Sequence, residues 1–406
     1  MARLGPFEPA PALAVAVSGG PDSLALALLA RDWAAGQGGA VLGLVVDHRL
    51  RPESTAEARL TLARLAGQGI AARLLTLTGL AHGPGLAARA RVARHAALAQ
   101  ACAGAGILHL LFGHHRADQA ETLRMRARAG SGPRGLAAMA GLVERDAVRL
   151  LRPLLGTAPG DLRALLLRHG IGWVDDPSNR NPATLRARLR AELADPDGHG
   201  ATVATLAGEA ARHGAARTAQ DDAIAAVLAA RVRIDPAGWA LLSPGALPAA
   251  ALEALLRTIA GRRHALPSAA VAALAAAPRA ASLGGARLVA ARHGAGWLVL
   301  REAAAMQPPV PARPGALWDG RFQLCGAMPP GLNPDAVTLG ALGAAAASLR
   351  TMRPDWPAAL LHTLPALRHA GALIAVPALG FSTDGYAPAL AFAPHGPLAG
   401  APFQPI

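Results

Sequence analysis

Leu13-Ala14-Val15-Ala16-Val17-Ser18-Gly19-Gly20-Pro21-Asp22-Ser23-Leu24 is the stretch on which the reading of this chain turns. Leu13 to Val17 is a short apolar run with two valines, the pattern of a buried parallel strand. Leu24 to Ala30 is rich in Leu and Ala, the pattern of a helix. Ser18 to Ser23 is therefore a strand-to-helix turn. Its two glycines let the backbone approach a ligand, and the free N–H groups of the helix start face the same place. That combination makes an anion cradle. The G-x-x-x-x-G-K-[ST] spacing is absent, so the loop is not a Walker A loop. The bland alternative is a glycine-rich turn that holds nothing. Strand, glycines, acid and helix all agree against it.

Working outward, strand and helix signals alternate. Val41 to Val46, Ala71 to Leu77, Ile107 to Phe112 and Val148 to Leu151 read as strands. Glu53 to Ala66, Leu86 to Ala103 and Ala117 to Ala129 read as helices between them. The alternation predicts an α/β domain, a doubly wound parallel sheet with helices on both faces. Ligands of such sheets bind beyond the carboxyl ends of the strands. The polar residues there, Ser18 to Ser23, Asp47-His48 and His114-His115, are expected to converge on one crevice.

The chain has 406 residues, enough for two or three domains. Apolar residues make up 52% but aromatics only 3%, so the core must be built from Ala, Leu and Val. The net charge is +14 and all 40 basic residues are arginine. Arginine forks onto phosphate and stacks on bases, so a polyanion such as RNA is an expected partner. Codon bias in a GC-rich genome explains the missing lysine, but not the excess of base over acid. Cys102 and Cys325 form neither a disulfide framework nor a zinc site, which fits a reducing compartment. Neither a secretory signal nor a membrane span is visible, and the expected location is cytoplasmic.

His114, Asp118 and Glu121 are spaced i, i+4, i+7 and share a helix face. Two carboxylates and an imidazole there suit a cationic ligand or Mg²⁺, and a solvated helix face is the alternative. The wider stretch is more specific. Gly113-His114-His115-Arg116-Ala117-Asp118-Gln119-Ala120-Glu121-Thr122, followed by Gly130-Ser131-Gly132 and Gly135-Leu136, resembles the HHxxDQxET…GSGxxGL block of tRNA(Ile)-lysidine synthetases. Ser18 to Ser23 resembles the SGGxDS loop of the N-type ATP pyrophosphatases, the PP-loop superfamily to which those enzymes belong. Val46-Asp47-His48-Arg49-Leu50-Arg51 resembles their VDHxLR motif, and Ala90-Arg91-Val92-Ala93-Arg94-His95 their ARxARY motif. Arg152 to Leu155 matches RPLL. Trp173 to Asn179, with Arg186, Arg188 and Arg190, resembles W-x-x-DPSN…R-x-R-x-R. Six motifs in the expected order cover the first half of the chain. The chain departs at Ala117, where the family often has an acid, at His95 for Tyr, and at Ala129 for Arg.

The resemblance implies an adenine nucleotide alpha hydrolase-like fold and a reaction. A wobble cytidine in a CAU-anticodon tRNA(Ile) attacks the α-phosphorus of ATP through its 2-oxo oxygen, releasing pyrophosphate. The ε-amine of free L-lysine then attacks the ring carbon and expels AMP. Under the resemblance Ser18, Gly19, Gly20, Pro21, Asp22 and Ser23 hold ATP, and Asp22 binds or orients Mg²⁺. Asp118 and Glu121, with His114 beside them, recognise the lysine ammonium. Arg94 faces the adenylate or the lysine carboxylate, or is a solvated helix arginine. Asp47 contributes to the nucleotide site or is a turn aspartate. Arg186, Arg188 and Arg190, and the basic knot Arg262-Arg263, hold tRNA phosphates or are solvated ends.

Four segments are expected. Residues 1–195 form the catalytic domain and 196–302 a mainly helical tRNA-binding domain. Residues 303–314, with Pro308, Pro309, Pro311 and Pro314, form a linker, and 315–406 a small α+β module that meets tRNA. Within the second segment, Leu283 to Arg301 alternates like a hairpin. The sequence does not fix an oligomeric state, and a homodimer is compatible with it. The rival reading is a tRNA thiolase of the same superfamily. Such enzymes resemble one another in needing a catalytic cysteine or a C-x-x-C, which Cys102 and Cys325 do not provide. A further class is an RNA-binding module without activity, against which the intact loop and the His114/Asp118/Glu121 set argue.

Overall fold

The computed structural model describes residues 1–80, 83–145, 147–175, 183–291, 296–326, 334–383, 385, 388–399 and 403–405. The chain divides into two compact units, Met1–Gln220 with Ala401–Ile406, and Asp221–Gly400.

The first unit begins with β1 (Ala12–Val17), α1 (Pro21–Ala35), β2 (Ala40–Asp47), α2 (Ser54–Gly67) and β3 (Ala71–Thr76). It continues with α3 (Leu86–Gly104), β4 (His109–Leu111), α4 (Arg116–Arg128), α5 (Pro133–Leu136), β5 (Leu142–Glu144) and β6 (Arg149–Leu151). Helices α6 (Pro159–Arg168) and α7 (Leu185–Leu193) follow. The six strands form one sheet in the order β3-β2-β1-β4-β6-β5. β1 pairs in parallel with β2 on one side, Val15 opposite Gly43, and with β4 on the other, Val15 opposite Leu111. The winding reverses between β1 and β4, and the crevice of a doubly wound sheet opens at that reversal. Only β5 runs antiparallel, at the edge. Leu13, Val15 and Val17 pack with Leu24, Leu26 and Leu28 on one side of the sheet. Ala14 and Leu44 pack with Leu98, Cys102 and Leu110 on the other. Every residue of Leu24–Leu28 is buried, while Leu29, Asp32 and Ala35 further along α1 are exposed.

The strand and helix expectations for this unit hold to within a few residues, but α6 and α7 were not anticipated. Its edge also differs. Helix α8 (Ala201–Arg231) contains the boundary between the units. Its early residues stay with the first unit because Val203 packs on Ala117 and Ala120, and Ala210 on Leu123 and Ala138.

The second unit adds a sheet to the helices expected for residues 196–302. Beside α9 (Ala249–Ala260) and α10 (Ser268–Ala276) lie five strands: β7 (Val232–Asp235), β8 (Trp239–Leu242), β9 (Ala281–Leu283), β10 (Ala286–Ala290) and β11 (Trp297–Arg301). They form an antiparallel sheet in the order β7-β8-β11-β10-β9, which contains the expected hairpin. The alternating Ala240 and Leu242 of β8 bury into the same core as Leu252, Leu255 and Ile259 of α9. Residues 303–314 are not a free linker. β12 (Val310–Pro311) pairs with β15 (Val337–Ala341). β12 is an edge strand, where proline costs no ladder bond. The C-terminal part of this unit is strand-rich. It adds β13 (Leu317–Trp318), β14 (Phe322–Leu324), α11 (Ala358–Leu361), β16 (Pro365–His369), β17 (Ala372–Val376), β18 (Phe381–Ser382) and β19 (Leu390–Phe392). Among the described residues no helix is long and apolar enough to cross a membrane.

Candidate active site

The turn after β1 is braced by its own side chains. Ser23 Oγ accepts from the Ser18 N–H at 3.1 Å and donates to the Gly20 carbonyl at 3.0 Å. The Ser23 hydroxyl is thus spent on loop shape, which leaves backbone N–H groups as the natural phosphate donors. Gly19 has φ +85, and a Cβ there would lie 2.5 Å from Thr61 Oγ1. Only glycine fits that conformation and that space. Its carbonyl accepts from the Val174 N–H at 2.9 Å. Pro21 opens α1 at a position where its missing N–H costs nothing.

The turn after β4 meets this loop. A Cβ on Gly113 would come within 3.0 Å of the Asp22 carbonyl and the Ser23 N. The glycine therefore permits backbone-on-backbone contact between the two turns, and places His114, His115 and α4 beside the start of α1. His115 Nε2 lies 3.6 Å from Asp22 Oδ2 and 3.5 Å from Asp118 Oδ2. Asp118 also caps α4, its Oδ2 accepting from the His115 N–H at 3.0 Å. Glu121, one turn on, is 1% exposed.

Arg190 of α7 reaches into this acid pair. Its Nε donates to Glu121 Oε1 at 2.6 Å and its Nη2 to Asp118 Oδ1 at 3.3 Å. Glu121 Oε2 and Asp22 Oδ1 are buried and have no partner among the described residues. The acids respond differently to this setting. Burial raises Asp22, against the pull of His115. Burial also raises Glu121, partly opposed by the bond from Arg190. Burial raises Asp118 too, but His115, His114, the His115 N–H and Arg190 outweigh it and hold that carboxyl below its usual range. Burial drives His114 down to about 4, with Asp118 opposing and Arg152, Arg186 and Arg91 assisting.

These residues line one cavity of about 890 Å³, together with His48, Arg94, Arg163 and the carboxyl ends of β1 and β2. That is at the upper end of the roughly 300–1,000 Å³ typical of ligand pockets. Ser18, Gly20 to Ser23, Arg94, His114, Asp118, Glu121 and Arg190 are all on its wall. Asp47 is not among its lining residues. Its carboxylate takes the Arg49 N–H at 2.9 Å and the Thr55 hydroxyl at 2.7 Å, so it shapes the turn after β2. Its neighbour His48 faces the cavity instead. Arg186 and Arg190 share one face of α7 while Arg188 points elsewhere, because the helix separates residues two apart. Arg190 is therefore an internal partner of the acids, not a free phosphate contact. Arg262 and Arg263 follow Gly261, the left-handed cap of α9, and are exposed in the second unit. Asp176 to Asn179 of the expected DPSN motif lie outside the described residues. His115 lies in the crevice where the His114-His115 pair was expected, although the sequence assigned a role only to His114. Cys102 is buried in the α3 core, and burial raises its thiol to about 11.

The profile of a family described as a PP-loop domain matches residues 2–196. A tRNA(Ile)-lysidine synthase of Bradyrhizobium diazoefficiens is 43% identical over 335 residues, covering 76% of this chain and 92% of that protein. The chain belongs to the tRNA(Ile)-lysidine synthase family. Family members from Bradyrhizobium sp. strain BTAi1 and Hyphomonas neptunium are 46% and 45% identical, over 52% and 61% of this chain and 60% and 69% of theirs. A solved U34-tRNA thiolase of Methanococcus maripaludis is 16% identical with a TM-score of 0.44, covering 52% of this chain and 74% of that one. The structure places two departures from the synthase motifs. Ala117 is 8% exposed and packs on Ala120 and Val203, and it also lines the cavity beside Asp118. His95 stacks on Phe112 with centroids 5.2 Å apart, occupying an aromatic position with a smaller ring.

Proposed function

We propose that this chain is a tRNA(Ile)-lysidine synthase that ligates free L-lysine to C2 of the wobble cytidine of a CAU-anticodon tRNA. The observation that carries the reading is that one cavity holds both a phosphate-binding turn and a buried acid pair with a free oxygen. The first suits a nucleotide, the second a primary ammonium. The cytosine O2 attacks the α-phosphorus and the bond to the β-phosphate oxygen breaks, releasing pyrophosphate. The lysine ε-nitrogen then attacks C2, loses a proton and displaces AMP. An amine must be neutral to attack. Glu121 Oε2 is an unpartnered acceptor whose affinity for a proton burial has raised, which suits it to receive that proton. Asp118, held ionised, suits the recognition of the cation. His115 lies between Asp22 and Asp118 and favours the ionised form of both.

Mg²⁺ fits the site in a limited way. Asp22 Oδ1 is buried, unpartnered and beside the phosphate-binding turn. Among the described residues no three His, Cys, Asp or Glu side chains form a complete cage. An ion held by one carboxylate and the phosphates of its substrate is the usual arrangement for Mg²⁺. When bound, it would neutralise the charge of the departing pyrophosphate.

The test supplies ATP, Mg²⁺, labelled lysine and a CAU-anticodon tRNA transcript. Label is expected in the wobble cytidine, with AMP and pyrophosphate released. Transfer of sulfur to another base, with no lysine incorporated, would overturn the reading.

A further inference from the structure

We infer that Arg91 and Arg152 form a seat for backbone phosphates of the RNA strand that delivers the target nucleotide, with the ring of His95, backed by the buried Phe112 and by His114, as its stacking platform. The inference rests on the reading above that tRNA is the substrate. The seat is assembled by three elements. On α3, Arg91 and His95 are four residues apart and share a face with Arg94. At the end of β4, Phe112 lies between His95 and His114, with centroid separations of 5.2 and 6.0 Å and interplanar angles of 29° and 27°. The Phe112 N–H donates to the Leu151 carbonyl at 2.9 Å, which brings Arg152 to the same strand ends.

Among the described residues no carboxylate forms an ion pair with Arg91, Arg94, Arg152 or Arg186. Elsewhere in the same unit arginines are paired: Arg51 with Glu57 at 3.1 Å, Arg128 with Glu192 at 2.6 Å and Arg163 with Asp197 at 2.6 Å. Among the described residues the Nε atoms of Arg94 and Arg152 are buried without a partner, while Arg152 Nη1 donates to the Ala140 carbonyl at 2.8 Å. Burial first, and then its arginine neighbours Arg91 and Arg145, drive Arg152 down to about 10. Such a cluster calls for an anion to complete it. ATP already has the turn at Ser18 to Ser23, and lysine offers a single carboxylate. Several arginines around stacked rings suit a single-stranded polynucleotide, which offers a phosphate with every base. Burial and then Arg94 and Arg91 lower His95 to about 4, so at neutral pH the rings add stacking surface and no charge.

The two contributions separate in a binding experiment. A CAU-anticodon tRNA transcript is titrated with the full-length protein at several salt concentrations, alongside titrations with ATP and with lysine. Arg91→Gln and Arg152→Gln are each expected to weaken tRNA about threefold to tenfold and to flatten the salt slope by about 0.7 to 1. Arg91→Lys should restore the slope. His95→Ala should weaken tRNA about fivefold or more with the slope unchanged, and His95→Phe should recover it. Arg91 is exposed, so its substitution leaves the core intact. The inference is overturned if Arg91→Gln binds tRNA with wild-type affinity and slope, or if these variants lose ATP or lysine instead. Failure of the wild-type protein to bind tRNA overturns the functional reading, and this inference with it.

Discussion

Asp118 and Glu121 are one helical turn apart and share the Arg190 guanidinium, yet their proton affinities shift in opposite directions for reasons local to each. Asp118 accepts a backbone N–H and faces two imidazoles; Glu121 has one oxygen on Arg190 and one with no partner among the described residues. Asp118→Asn preserves the acceptor that caps α4 and removes only the charge. It should raise the KM for lysine about tenfold to a hundredfold, the worth of a charged hydrogen bond. ATP–pyrophosphate exchange with tRNA present should be retained, and equal loss of both steps would count against the lysine assignment. The histidines give a second outcome. His95 and His114 fall from about 6.5 unfolded to about 4 folded. Between those values the unfolded chain binds protons that the native chain refuses, so stability falls as pH drops through that window. Above pH 6.5 both states are neutral at these groups and they add no slope. Urea midpoints measured from pH 7 to 4 should decline, and His95→Phe should make the decline shallower by about one proton.

At the scale of elements, the site exists because β1 and β4 are neighbours while their following helices diverge. Gly113 is the contact point between the two turns. Gly113→Ala would press a methyl against the backbone of Asp22 and Ser23 at 3.0 Å and push the start of α4 away from α1. The expected result is a KM for ATP raised at least tenfold with the fold retained, read by ATP titration and by circular dichroism. Wild-type ATP affinity would show that the turns need not touch. This contact was only half legible in the sequence. Leu13 to Ser23 announced its strand, turn and helix because each obeys a local pattern, and strand alternation announced the crevice. The pairing of Arg190 with Glu121 did not show, because it joins residues 69 apart through α7. The arginine-rich composition of Leu185–Leu193 reads as surface, and only tertiary packing turns one of its cations inward. Two strands of the second unit were hidden for another reason. β7 and β8 have four residues each and lie between long Ala-rich helices. Val310–Pro311 was obscured by prolines that only an edge strand accepts.

At the scale of the whole molecule, the two units handle arginine in opposite ways. Around the cavity of the first, Arg91, Arg94, Arg152 and Arg186 have no acidic partner among the described residues, which suits a chain of net charge +14 acting on a polyanion. In the second, arginine is part of the core. Asp319 is 1% exposed and takes Arg301 at 2.8 Å and Arg321 at 2.9 Å, both nearly fully buried. Burial lowers Arg321 to about 10 even with Asp319 beside it, so the cation depends on that carboxylate. Asp319 also sits at φ +55, a conformation that Asn tolerates better than most residues. Asp319→Asn therefore keeps the turn and removes the charge. Two buried guanidiniums would be left without a counter-ion, at a cost of about 3–5 kcal/mol. The unfolding transition of the Asp221–Gly400 unit should move to lower denaturant by that amount, followed by the fluorescence of Trp318, which stacks on Phe322. ATP affinity measured below that transition should stay within about twofold of wild type, because every residue lining the cavity belongs to Met1–Gln220. An unmoved transition would mean that water or a bound anion reaches Arg321. A lost ATP site would mean that the second unit shapes the first.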